Sequence, residues 1–138
     1  MPITTRTGHG GRLYIETGSR TEKWVNYSRA VLDGEWLFVS NTSGYHYDEQ
    51  RIDADIEGQA RQMIVNIRNV LAAAGAQPQD IVRAVIFCPY PDEFPKALDI
   101  ISEFLSDIKP AVTATCSPLA EPYLKIEMEV TARLPGRK

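Results

Sequence analysis

Residues 123–133 read YLKIEMEVTAR, and they alternate strictly: Leu124, Ile126, Met128, Val130 and Ala132 fall on one side, Tyr123, Lys125, Glu127, Glu129, Thr131 and Arg133 on the other. A period of two is the signature of a β-strand with one apolar face. That face must join a core. The other face sets two carboxylates and two cations in a row, a cheap arrangement in water and a costly one under a neighbouring layer. What covers the charged face is therefore the question the rest of the chain has to answer.

The preceding segments supply the partners this strand needs. Residues 28–32 and 35–40 read as a hairpin, with Asp33-Gly34 supplying the positive φ angles of a two-residue turn. The run Trp36, Leu37, Phe38, Val39 suits a strand covered on both faces. Residues 41–50, NTSGYHYDEQ, lack any period and read as a loop, the kind of segment that carries function on a rigid scaffold. From about Asp53 to Ala74, apolar residues recur at helical spacing from Ile56 through Met63, Ile67 and Leu71, with Asp53 or Asp55 as N-cap and Gly75 as terminator. The β-branched run Ile81 to Cys88 reads as a buried strand closed by Pro89 and Pro91. Asp92 is placed to cap a second helix to about Ile108, with Pro95 tolerated in its first turn. A strand over 111–117 follows, and the alternating strand closes the chain.

Two helices with one apolar face each, laid on one side of a mixed sheet of about six strands, give an α+β fold, a two-layer sandwich. The 138 residues, 43% hydrophobic, suffice for one domain that buries roughly 70% of its unfolded surface without staples. Residues 1–23 read as a glycine-bearing flexible arm with one short edge strand, and residues 24–134 as the core. Gly8-His9-Gly10-Gly11 is not read as a phosphate loop, because no strand precedes it and no helix follows. The second sheet face stays uncovered, and other copies of the chain are expected to close it as a homo-oligomer.

Charge and cysteine usage narrow the function. A net charge of −3 argues against a nucleic-acid coat, since no basic stripe is available. Cys88 and Cys116 lie in different segments without CxxC spacing, as intracellular thiols do, so neither a disulfide framework nor a zinc site is expected. His9 and His46 share no metal spacing with acids or cysteines, and no cofactor is called for. With no signal peptide and no apolar run of about 20 residues, the expected location is cytoplasmic, with no membrane partner.

The order NYSRAV, GEWLFVSN, AAGAQPQDIVRAVIF, DEF, KPAVTAT and LKIEMEVTA resembles the RidA/YjgF family of small enamine and imine deaminases, also labelled endoribonuclease L-PSP, over nearly the whole chain from Asn26 onward. The resemblance implies a chorismate mutase-like fold and a homotrimer whose sheets face inward, with small-molecule clefts between subunits. Glu127 matches the acidic residue of the family's IEIE motif, which orients or activates the attacking water. Tyr27 matches its cleft tyrosine, and Asn41 stands where the family's VSG motif has glycine. Val112 stands where active family deaminases carry the arginine that clamps the carboxylate of a 2-imino acid. A valine offers none of the charge-assisted hydrogen bonds of a guanidinium, a difference of about 2–5 kcal/mol in binding.

The implied activity is hydrolysis of a small imine, enamine or related C=N compound in an intersubunit cleft, but not that of a standard 2-imino acid deaminase. The alternative is a non-catalytic trimeric binding protein, and family ribonuclease activity ranks behind both. Catalysis would rest on Glu127, with its charged strand neighbours Lys125 and Arg133 as the plain structural alternative. Ligand contacts would come from Tyr27, Asn41, Val112, Cys116 and His46. Arg29 or Lys125 would have to replace the missing cation.

Overall fold

The computed structural model describes residues 3–137. In chain order it runs through β1 (Thr4–Thr7), β2 (Leu13–Glu16), α1 (Arg20–Val25), β3 (Ala30–Asp33), β4 (Trp36–Ser43), β5 (Tyr45–His46), β6 (Arg51–Ile52), α2 (Ile56–Ala73), β7 (Ile81–Cys88), α3 (Phe94–Leu105), β8 (Ala111–Cys116) and β9 (Glu127–Arg133). Seven strands form one sheet in the order β1-β2-β3-β4-β9-β7-β8, and β5 and β6 pair by themselves. Among the described residues only β7 and β8 run parallel, joined by the crossover helix α3; the other pairs are antiparallel. The sheet is therefore mixed and the fold a two-layer α+β sandwich, as the pattern of elements requires.

The alternating strand lies at the centre of this sheet, between β4 and β7. Met128, Val130 and Ala132 are buried beneath α2 and α3 together with Leu37, Val39, Ala84 and Ile86. Helix α2 contributes Ile56, Ala60, Met63, Ile67, Val70 and Leu71, and α3 contributes Ala97, Ile101 and Phe104. Glu127, Glu129 and Thr131 point to the opposite, uncovered face, where Trp36 and Phe38 remain 43% and 50% exposed.

Several boundaries depart from the sequence pattern, each for a local physical reason. Residues 1–23 do not form an arm with a single edge strand: β1 and β2 pair with each other, β2 pairs with β3, and α1 follows, capped by Ser19. The Gly8-His9-Gly10-Gly11 run makes the turn between β1 and β2. The hairpin turn falls on Gly34-Glu35, one residue later than the Asp-Gly pair suggests, with Gly34 at φ 61°. Residues 41–50 are not one loop, since β4 continues to Ser43 and residues 45–52 close a small hairpin. Asp55, not Asp53, caps α2, accepting from the Gly58 amide at 3.0 Å. Asp92 does not cap α3; the amides of Glu93 and Phe94 both donate to the Tyr90 carbonyl.

The outermost residues of the alternating stretch also leave the strand. Residues 123–125 bond instead to Gln59, a fully buried residue of α2. Its Nε2 donates to the Tyr123 carbonyl at 2.9 Å and its Oε1 accepts from the Lys125 amide at 2.9 Å. A side-chain amide thus stands in for a strand edge and satisfies both backbone groups. Lys125 accordingly does not share the uncovered face with Glu127; its Nζ pairs with Glu93 at 2.9 Å.

Candidate functional site

The site grows from a buried cation. Arg29 lies one residue before β3 and is only 4% exposed. Its Nε donates to Glu22 Oε2 at 3.2 Å, its Nη2 to the Tyr27 phenol oxygen at 3.0 Å, and its Nη1 to the Asn41 backbone carbonyl at 2.7 Å. A buried guanidinium needs a counter-charge, and Glu22 supplies it from α1. The Glu22 carboxylate in turn accepts from the Thr17 amide at 2.9 Å, from Ser19 Oγ at 3.0 Å and from the Thr17 hydroxyl. Burial pulls the Arg29 pKa down, but Tyr47, Tyr27 and Glu22 around it more than offset that, leaving it above the ordinary value.

Local backbone features aim these groups. Asn26 ends α1 in the left-handed conformation at φ 65°, which swings Tyr27 back under Arg29. In β4, Ser40 and Asn41 fall between the paired residues Val39 and Thr42, opposite Glu129 alone on β9. This β-bulge turns the Asn41 carbonyl toward Arg29, as bulges commonly re-aim groups at sites. The Asn41 Oδ1 is buried without a hydrogen-bond partner among the described residues.

Glu127, at the start of β9, is partly buried on the uncovered sheet face in the row of Phe87 and Thr115. Burial pushes its carboxyl above the ordinary value of 4.5, and the positive field of Arg29 opposes that rise. Tyr47 also belongs to this surround, its phenol pushed up by burial and pulled back by Arg29. Tyr47 in turn lines a cavity of about 300 Å³, together with Thr17, His46, Gln62, Asn66 and Asn69 among others. Asp53 holds His46 there at 3.0 Å.

The six residues singled out from sequence divide into groups. Tyr27, Asn41 and Glu127 surround the Arg29 cluster. His46 lines the cavity it shares with Tyr47. Val112 and Cys116 oppose Ala84 and Cys88 on β7, so they project from the helix-bearing side of the sheet, away from Glu127. Within one chain, Glu127 is therefore not beside Val112. The two cations considered as replacements for the arginine clamp are both engaged, Arg29 by Glu22 and Lys125 by Glu93. Glu22, Thr17 and Tyr47 escaped sequence reasoning. The Ser19-x-x-Glu22 spacing did mark a helix start, which was the available signal.

The chain is thus a two-layer α+β sandwich with a buried arginine cluster and a partly buried carboxyl on its open sheet face. The family model described as endoribonuclease L-PSP matches residues 17–134, and the chain belongs to that family, also called RidA/YjgF. A RutC family protein of Pyrococcus abyssi is 32% identical over 108 residues, covering 77% of this chain and 84% of its own. A 2-iminobutanoate/2-iminopropanoate deaminase of Dermatophagoides farinae is 30% identical over 86 residues, covering 62% of this chain and 67% of its own. Among solved structures, a YjgF/YER057c/UK114 family member from Mycobacterium tuberculosis superposes with a TM-score of 0.81 at 28% identity, covering 89% of this chain and 99% of that one. No helix among the described residues is long and apolar enough to cross a membrane.

Proposed function

We propose that the chain hydrolyses a small imine, enamine or related C=N compound, with Glu127 as the acid–base group. The observation that carries this reading is the position of Glu127: partly buried, raised by that burial, and within the field of Arg29. A carboxyl tuned upward can give a proton to an imine nitrogen and then, as carboxylate, take one from the attacking water. Water adds to the C=N carbon, the resulting carbinolamine expels the amine, and a carbonyl compound remains. Tyr27 and Asn41 orient the substrate. The relation to a 2-iminobutanoate/2-iminopropanoate deaminase supports the reaction class.

The cleft in this reading lies between copies of the chain in a homotrimer. Val112 and Cys116 of one copy would meet Glu127 of another, since a single chain puts them on opposite sides of its sheet. The exposed Trp36 and Phe38 beside the charged rows of β9 support burial of this face by further copies. A specific observation also favours a second reading, a trimeric small-molecule binder without chemistry. Val112 gives a carboxylate no partner, and Arg29 and Lys125 are both neutralised.

The test is ammonia release from freshly generated 2-iminopropionate and 2-iminobutyrate by wild type, Val112→Arg and Glu127→Ala. Acceleration by wild type that disappears in Glu127→Ala supports the hydrolase. Activity gained only in Val112→Arg places the substrate outside the simple 2-imino acids. Inactivity of all three supports the binder.

A further inference from the structure

Strands β7 and β8 run parallel in a register that sets Ala84 against Val112, Ile86 against Ala114 and Cys88 against Cys116. Directly opposed residues of neighbouring strands leave the sheet on the same face, with backbones about 4.8 Å apart. That spacing falls within the roughly 4.4–6.8 Å between Cα atoms that a disulfide spans. The two thiols sit in contrasting surroundings. Cys88 is fully buried, and its Sγ donates to the Tyr90 carbonyl at 3.4 Å. Cys116 is exposed on β8, the edge strand of the sheet. One thiol can thus be reached from solvent and the other can be reached only through its neighbour.

We propose that Cys88 and Cys116 form a redox-active pair whose substrate class is small-molecule disulfides. The Cys116 thiolate attacks one sulfur of the small disulfide; a protein mixed disulfide forms and one small thiolate leaves. Cys88 then gives up its proton and attacks the Cys116 sulfur, forming the internal disulfide and expelling the second small thiolate. The two protons released by the cysteines go to the two leaving thiolates. Two protein thiols are oxidised and one disulfide is reduced to two thiols. Burial raises the Cys88 thiol, so the second step speeds up with rising pH.

A bridge here ties the C-terminal ends of two parallel strands at the root of the turn that carries Glu93, the partner of Lys125. A bridge that includes the exposed Cys116 is of the readily reversed kind, since exposed disulfides are the labile ones. The pair needs only Cys88 and Cys116 of one chain, on the face opposite that chain's own Glu127. Where further copies bring Cys116 to the proposed cleft, small disulfides reach it through that cleft, and the thiol readout below does not use the activity proposed for Glu127.

The experiment treats the folded, fully reduced chain with oxidised glutathione and follows intact mass and free-thiol count. Wild type is expected to lose two hydrogens, retain no glutathione and show no free thiol after unfolding. Peptide mapping without reductant is expected to join the Cys88 and Cys116 peptides of one chain. Cys88→Ser is expected to stop at a single glutathione adduct on Cys116, and Cys116→Ser to remain unmodified. A wild type that keeps its adduct, links Cys116 between chains, or does not react overturns the proposal. Because the mapping is done on wild type, it decides between these outcomes even if a serine variant folds poorly.

Discussion

Glu127 illustrates how a single side chain takes its chemistry from its surroundings. The alternation in YLKIEMEVTAR assigns it to the polar face, but only its partial burial in the row of Phe87 and Thr115 raises its carboxyl above 4.5. The folded chain then holds that proton to higher pH than the unfolded chain does. The stability tied to the protonated carboxyl is fully present below the ordinary value and is lost as pH climbs through the raised one. Glu127→Gln, which cannot ionise, is expected to melt above wild type at neutral pH, with the gap closing toward about pH 4. Thermal unfolding across that range checks this; an offset independent of pH would mean that ionisation is not the cause. The neighbouring Glu22 shows the limit of sequence reading at this scale. Its carboxylate and Arg29 are seven residues apart and come from different elements, so nothing in the local pattern announces the pair.

At the scale of elements, α2 is held to the sheet by two polar residues set into an otherwise apolar face. Gln59 grips the segment before β9, and Asn66 Nδ2 donates to the carbonyls of Ser43 at 3.0 Å and Tyr45 at 2.9 Å. Between those two carbonyls lies Gly44, where an added Cβ would come 2.6 Å from the Gln59 Cα and nearer still to the Gln59 carbonyl oxygen. The glycine is needed for close approach of helix and strand. Gly44→Ala is expected to force α2 away from β4 and cost about 1–3 kcal/mol or more. Urea unfolding measures it, and a loss below about 0.5 kcal/mol, the usual range of neutral surface changes, would show that the backbones yield. The apolar periodicity of α2 was legible in advance. The purpose of its buried amides was not, because apart from the nearby Asp53 carbonyl they serve backbone groups 21 to 66 residues away along the chain.

The whole molecule presents a sheet with helices on one face and a polar-aromatic surface on the other. If copies of the chain close that face as proposed, Phe38→Asp is expected to reduce the mass in solution to that of one chain while leaving the far-ultraviolet circular dichroism unchanged. Light scattering after size exclusion reads the outcome, and a wild type that is already monomeric would remove the trimer and its intersubunit cleft together. The chain's local patterns, alternation in β9, helical spacing in α2 and α3 and β-branched content in β7, determined the layers, the covered face and the family, because each is a property of residues close in sequence. Tertiary structure alone decided that the first residues join the sheet, that Lys125 leaves the strand for Glu93, that Arg29 is sealed by Glu22, and that Val112 and Glu127 stand on opposite faces. Those outcomes depend on which distant groups arrive to satisfy a buried charge or an unpaired backbone bond, and one-dimensional patterns do not carry that information.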